Sequence, residues 1–176
     1  MDKSTGVLRK IAAIVIYLVI LAAAGFVGCY IRGALYALIF VAATVFVITR
    51  LYKLCFTPEE LKDIYKHLRW MSQAYFAGAA LMVYSVGDDL KSGAGHALGY
   101  AICAVVALIT AVAMLYVGKH FTLRGCIVIM GLVIAGYIAL SLASGRFVIA
   151  AFTLIPMGFM GRAIYDAYEL GKNKED

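Results

Sequence analysis

The chain has 176 residues, of which 64% are hydrophobic and 15% charged, and it carries a formal net charge of +6. Soluble domains carry about a quarter charged residues and about half apolar ones. Here the apolar excess falls in long uncharged runs, which excludes an ordinary soluble core and predicts one all-α membrane bundle over residues 1–176. The basic residues gather at the ends of those runs, so they report topology rather than a nucleic-acid surface.

Lys3, Arg9 and Lys10 lead into the first run, Ile11–Tyr30. Its flank and composition resemble a cleavable signal, but the chain reads as retaining it as a first helix. Gly33–Thr49 follows and is short for a span of about 20 residues; Arg50 can snorkel to the headgroups and extend it. In "FTPEELKDIYKHLRW", Thr57 is placed to cap a helix, with Pro58 at its first position and Glu59 and Glu60 in its first turn. Leu61, Ile64, Tyr65 and Leu68 recur at helical spacing, which predicts an amphipathic helix at about 58–68 lying on the inner leaflet.

Trp70–Gly87 is the third run and Gly93–Gly118 the fourth. Gly93, Ala97, Ala101 and Ala104 lie along one side of the fourth, and Gly95 and Gly99 make a G-x-x-x-G, so this helix is expected at the tightly packed centre. Gly125–Gly145 and Phe147–Gly161 complete the set, the last continuing toward Ala167 and expected to kink at Pro156. Between runs two and three lie Arg50, Lys53, Lys62, Lys66 and Arg69, and between four and five Lys119 and Arg124. The opposite side holds only Arg32, Lys91 and Arg146. This bias predicts six spans in three outward hairpins, both termini cytoplasmic, in a bacterial-type plasma (inner) membrane. The phrases "VLRK", "HLRW" and "TLRG" at Val7, His67 and Thr122 open the hairpins and suggest a repeated two-helix unit.

Three hairpins of this length, clearest in "LRGCIVIMGLVIAGYIALSLASGRFVIAAFTLIPMGF", resemble the HdeD family of small bacterial inner-membrane proteins. The resemblance covers the whole chain in architecture and implies a role in acid resistance without catalytic residues. The insertion after the first hairpin departs from that family's compact pattern.

The polar stretch "GDDLKSGAGHALGYAIC" is the main candidate for chemistry. "GAGHALGYAIC", with "FTLIPM" near the end, resembles AgrB-type membrane endopeptidases, which implies Cys103 as nucleophile and His96 as its base. A continuous helix would hold residues seven apart about 10 Å along its axis, too far for a hydrogen bond. The charge bias also places His96 outside, and that family's basic cytoplasmic region is missing. Alternatively, Arg32, Asp88, Asp89, Lys91, His96 and Arg146 form an outer charged cluster that admits ions or responds to pH, or they are simply solvated turn residues.

Cys29, Cys55, Cys103 and Cys126 form no C-x-x-C pair and fit no zinc or haem spacing, which leaves packing as their role. No cofactor, metal or nucleotide motif is expected. The sequence thus predicts a non-enzymatic stress-related or accessory membrane protein that binds a partner or small solute. A channel or transporter module and the endopeptidase are the alternatives. Its expected partners are the bilayer and either a second copy or another membrane protein.

Overall fold

A computed structural model describes residues 3–31, 34–62, 64, 66–144, 155, 157–159, 161–162 and 164–165. Among them there is no strand. The helices are α1 (Lys3–Tyr30), α2 (Ala34–Cys55), α3 (Pro58–Lys62), α4 (Lys66–Ser92), α5 (Ala97–His120) and α6 (Leu123–Ser144). Gly6–Tyr30, Leu35–Cys55 and Ala97–His120 are each long and apolar enough to cross a membrane, and Arg124–Ala139 is a shorter apolar stretch. At 27 residues α4 is about 40 Å long, but it begins and ends in charge. Pro156 and most of the expected sixth run lie outside the described residues.

Thr57 caps α3 as its sequence implies. The Thr57 amide donates to Glu60 Oε2 at 2.8 Å and the Glu60 amide donates to Thr57 Oγ1 at 3.2 Å, a reciprocal capping box. The expected helix over 58–68 is not continuous, however. α3 ends at Lys62, Ile64 stands in a bend, and α4 starts at Lys66. The reason is tertiary: Ile64 and Leu68 are buried, both packed on Gly118 of α5, rather than spread along a membrane surface. Added to Gly118, a Cβ would stand 2.8 Å from Ile64 Cγ2 and 3.3 Å from Leu68 Cβ.

Gly93 and Gly95 also depart from the expected helix. Both have positive φ, 71° and 79°, and lie in the turn between α4 and α5, so Gly95 and Gly99 do not form a helical packing motif. Left-handed glycine is the usual way to stop a helix, and the Gly93 amide donates to the Asp89 carbonyl at 2.8 Å as α4 ends. α5 is nonetheless closely packed, burying Cys103, Ala104, Ala107, Ala111 and Met114, and a second close contact lies where α1 meets α4. A Cβ on Gly28 would overlap the Tyr84 carbonyl, and one on Gly87 would overlap the Gly25 carbonyl.

The chain divides into two compact units, Met1–Leu61 with Phe76–Ile109, and Lys62–Tyr75 with Thr110–Asp176. In the first, the Tyr17 hydroxyl donates to the Phe76 carbonyl at 2.8 Å and the Tyr84 hydroxyl to that of Ile31. Phe40 stacks on Tyr84 at 5.7 Å, which fastens α2 to the same helix. In the second unit, Met71, Tyr75, Met114, Cys126 and Met130 form the core. Ser72 Oγ donates to the Ala111 carbonyl at 2.6 Å, Thr110 Oγ1 lies 3.2 Å from the Tyr137 hydroxyl, and Tyr75 stacks on Tyr137 at 5.7 Å.

Candidate functional site at the turn between α4 and α5

The chemistry-bearing residues of "GDDLKSGAGH" sit where α4 ends and α5 begins, within the first unit. Two consecutive aspartates here have different fates. Asp89 is only 6% exposed, and its Oδ2 accepts the His96 amide at 2.7 Å. The His96 carbonyl in turn accepts the Tyr100 amide at 3.2 Å, which makes His96 the residue on which α5 starts. The Asp89 carboxylate therefore spans the turn and places negative charge at the positive end of the α5 dipole. Ser92 Oγ completes the turn by donating to the carbonyls of Asp88 at 2.9 Å and Asp89 at 3.1 Å. Asp88 is half-buried, whereas Lys91 and His96 are exposed.

His96 and Cys103 are not brought together. His96 is exposed at the start of α5, while Cys103 is buried within that helix. The seven residues between them correspond to about 10 Å of helical rise, well beyond the reach a base needs. Of the expected outer cluster, Asp88, Asp89, Lys91 and His96 share this one turn; Arg32 and Arg146 lie outside the described residues. Among the described residues no group of three or more His, Cys, Asp or Glu side chains could hold a metal ion.

Two groups of residues escaped the sequence reading. One is the glycine contact of Gly25, Gly28 and Gly87, for which "GFVG" inside the first run was the available signal. The other is a set of buried polar side chains in the second unit: Ser72, Gln73, Thr110 and Ser141 beside Tyr75 and Tyr137. "SQAY" at the head of the third run and a lone threonine in "ALITAVAML" mark them, since each interrupts an apolar stretch.

A second electrostatic contact lies at the other end of α1. Lys10 Nζ stands 3.3 Å from Glu60 Oε1, so the capping carboxylate also serves α1. The Thr57 amide that donates to Glu60 is the main cause holding its carboxyl below its ordinary value, with Lys10 adding to the effect against partial burial. No protein-family model, curated protein or solved structure matches the chain.

Proposed function

We propose that this chain is a multi-pass integral membrane protein of a plasma (inner) membrane, with six spans in three outward hairpins and both termini cytoplasmic. In this reading it is a non-enzymatic stress-related or accessory protein that binds a partner or a small solute. The observation that carries the reading is where the large apolar side chains stand. Leu8, Val19 and Phe26 of α1, Leu35 and Leu38 of α2, and Leu98 and Ile109 of α5 are each more than 60% exposed. Water tolerates apolar patches of only a few hundred Å², whereas hydrocarbon accepts such faces along a whole helix. The separation of His96 from Cys103, and the structural engagement of Asp89, support a role without catalysis.

Fractionation and labelling test this directly. The protein should stay with membranes through alkaline extraction. In a cysteine-free background, Lys91→Cys should react with an impermeant reagent from outside, and Lys53→Cys only after permeabilisation; both positions are exposed. Release into the soluble fraction would overturn the membrane assignment, and reversed labelling would overturn the orientation. The HdeD resemblance makes survival in external acid the phenotype to follow. Cys103→Ala should preserve it, and its complete loss in a variant that still inserts would favour the endopeptidase.

A channel or transporter module is the second reading, and the buried polar set of the second unit favours it. Gln73 is 8% exposed within a helix of the second unit, and polar side chains buried between spanning helices often mark solute paths. Solute flux in proteoliposomes that Gln73→Leu abolishes would select this reading; no flux would set it aside.

A further inference from the structure

We propose that the second unit, at the end where α4 begins, α5 ends and α6 begins, binds the phosphate headgroup of an anionic phospholipid. The proposal rests on the membrane reading above and names the lipid class that this site selects.

Two contacts set the three helix ends at one level. Ile64 and Leu68 pack on Gly118, which fixes the start of α4 beside the end of α5. Cys126 Sγ lies 3.8 Å from the carbonyl oxygens of Val117 and Phe121, which fixes the start of α6 beside that same end. Lys66 of α4, Lys119 and His120 of α5, and Arg124 of α6 thereby share this end, and all four are exposed. Among the described residues of this unit there is no aspartate or glutamate; outside them the sequence places Asp63 before α4 and Asp166, Glu169, Glu175 and Asp176 toward the C-terminus. Lys66, Lys119 and Arg124 have no carboxylate partner among the described residues. Over the whole unit nine Lys and Arg outnumber five Asp and Glu, so positive charge remains that an anion from outside the chain can meet. The N-termini of α4 and α6 add two positive dipole ends against the one negative end of α5.

The surroundings select a lipid over a soluble anion. Trp70, Tyr116 and Phe121 are 46%, 62% and 45% exposed, and the Tyr116 and His120 rings are 4.4 Å apart. Such aromatics settle at headgroup depth, where one part of the ring meets hydrocarbon and another meets water. Along the helices beyond them stand Val112, Val128 and Leu132, at 58%, 64% and 68% exposure, which provide an apolar wall for acyl chains. Charge above, aromatics at the boundary and hydrocarbon contact below match the three parts of a phospholipid in order.

The chain carries its own reporter, because Trp70 is its one tryptophan. The full-length protein would be reconstituted in phosphatidylcholine bilayers containing equal small fractions of brominated phosphatidylglycerol or brominated phosphatidylcholine. Trp70 emission should be quenched preferentially by the phosphatidylglycerol, with an apparent preference of at least about fivefold, the attraction of one basic residue near a membrane surface. High salt should reduce the preference. Lys66→Gln with Lys119→Gln and Arg124→Gln should abolish it, and Lys66→Arg with Lys119→Arg and Arg124→Lys should retain it, which separates charge from folding. Equal quenching by both lipids in the wild type would overturn the proposal while leaving the membrane reading standing. A preference that survives the triple glutamine variant would overturn it too. Quenching by neither lipid would sink both. Inorganic phosphate that removes the preference at constant ionic strength would assign the site to a soluble anion instead.

Discussion

Helices α1 and α4 are nearly equal in length, 28 and 27 residues, yet they put their side chains to opposite uses. α1 is apolar from Ile11 to Tyr30, and among its described residues it buries only Ala13, Ala24 and Gly28. α4 starts with Lys66 and ends with Asp88, Asp89 and Lys91, yet it buries Leu68, Met71, Ser72, Tyr75, Ala79 and Ala80. In water the more apolar helix would be the core. In a bundle surrounded by hydrocarbon no such drive exists between helices, because lipid tails are as apolar as leucine. Association then depends on close backbone approach and on hydrogen bonds, which small and polar residues supply. Of these two helices the more apolar one exposes its side chains, and the one with alanine, serine and tyrosine at its contacts buries them.

The largest test of that contrast is steric. Gly28 faces the Tyr84 carbonyl with no room for a Cβ, whereas Gly136 of α6 has nothing within 4 Å of the same position. Overpacking inside a well-packed contact typically costs about 1–3 kcal/mol, and the obstacle here is backbone, which yields less than a side chain. Gly28→Leu should lower stability by at least that much, read as a lower thermal midpoint in mild detergent, or prevent folding, while Gly136→Leu should not lower the midpoint. Equal midpoints for the two variants would mean that α1 is not held by α4.

Next in size comes the turn that ends α4. Hydrogen bonds to charged groups contribute about 1.5–3 kcal/mol, and the exposure of His96 to water puts Asp89 at the lower end. Asp89→Ala should destabilise the protein by about 1.5 kcal/mol and speed hydrogen exchange at the His96 amide. Lys91→Ala, at an exposed neighbour, should do neither. Unchanged exchange in Asp89→Ala would show that the carboxylate does not hold the turn.

The buried polar pair is worth less. Hydrogen bonds between membrane helices average about 0.6 kcal/mol and reach about 1.7. A double-mutant cycle of Thr110→Val with Tyr137→Phe should therefore return a coupling within that range, read from unfolding in mixed detergent. Coupling indistinguishable from zero would reduce the 3.2 Å contact to mere proximity.

Much of this arrangement is written locally. The threonine-proline-glutamate-glutamate phrase specifies the cap at α3 through residues three apart, so Thr57 and Glu60 are legible without any fold. The long apolar helices are legible for the same reason, because charge bounds them in the chain. The break at Ile64 was not legible, since Gly118, the residue that captures it, lies far along the sequence. Nor could "GDD" reveal which aspartate would turn inward: adjacent helical residues differ by about 100°, and only the return of the chain at His96 decides the matter. Gly93 and Gly95 misled for a related reason. Glycine at four-residue spacing suits close helix packing, but glycine with positive φ also ends helices, and spacing does not distinguish the two uses.

The smallest effect concerns Glu60, which links α3 to α1. Its folded carboxyl lies below its ordinary value, first because the Thr57 amide donates to it. A depressed carboxyl contributes stability that is fully present above the unfolded value, about 4.3, and is lost as pH falls through the lower folded value. Glu60→Gln keeps the capping geometry, since glutamine serves at that position of a capping box, and removes only the charge. Side chains of Lys10 and Glu60 are 49% and 38% exposed, so solvent screens the pair, and such pairs are worth about 0–1 kcal/mol. The variant should therefore melt slightly below the wild type near neutrality, and the gap should close in acid below about pH 4. Added salt should narrow the neutral-pH gap by weakening the Lys10 contribution while leaving the shorter bond to the Thr57 amide in place. A gap that persists in acid would place the effect of Glu60 in packing rather than charge, and would remove the carboxylate from the account of how α3 is fastened to α1.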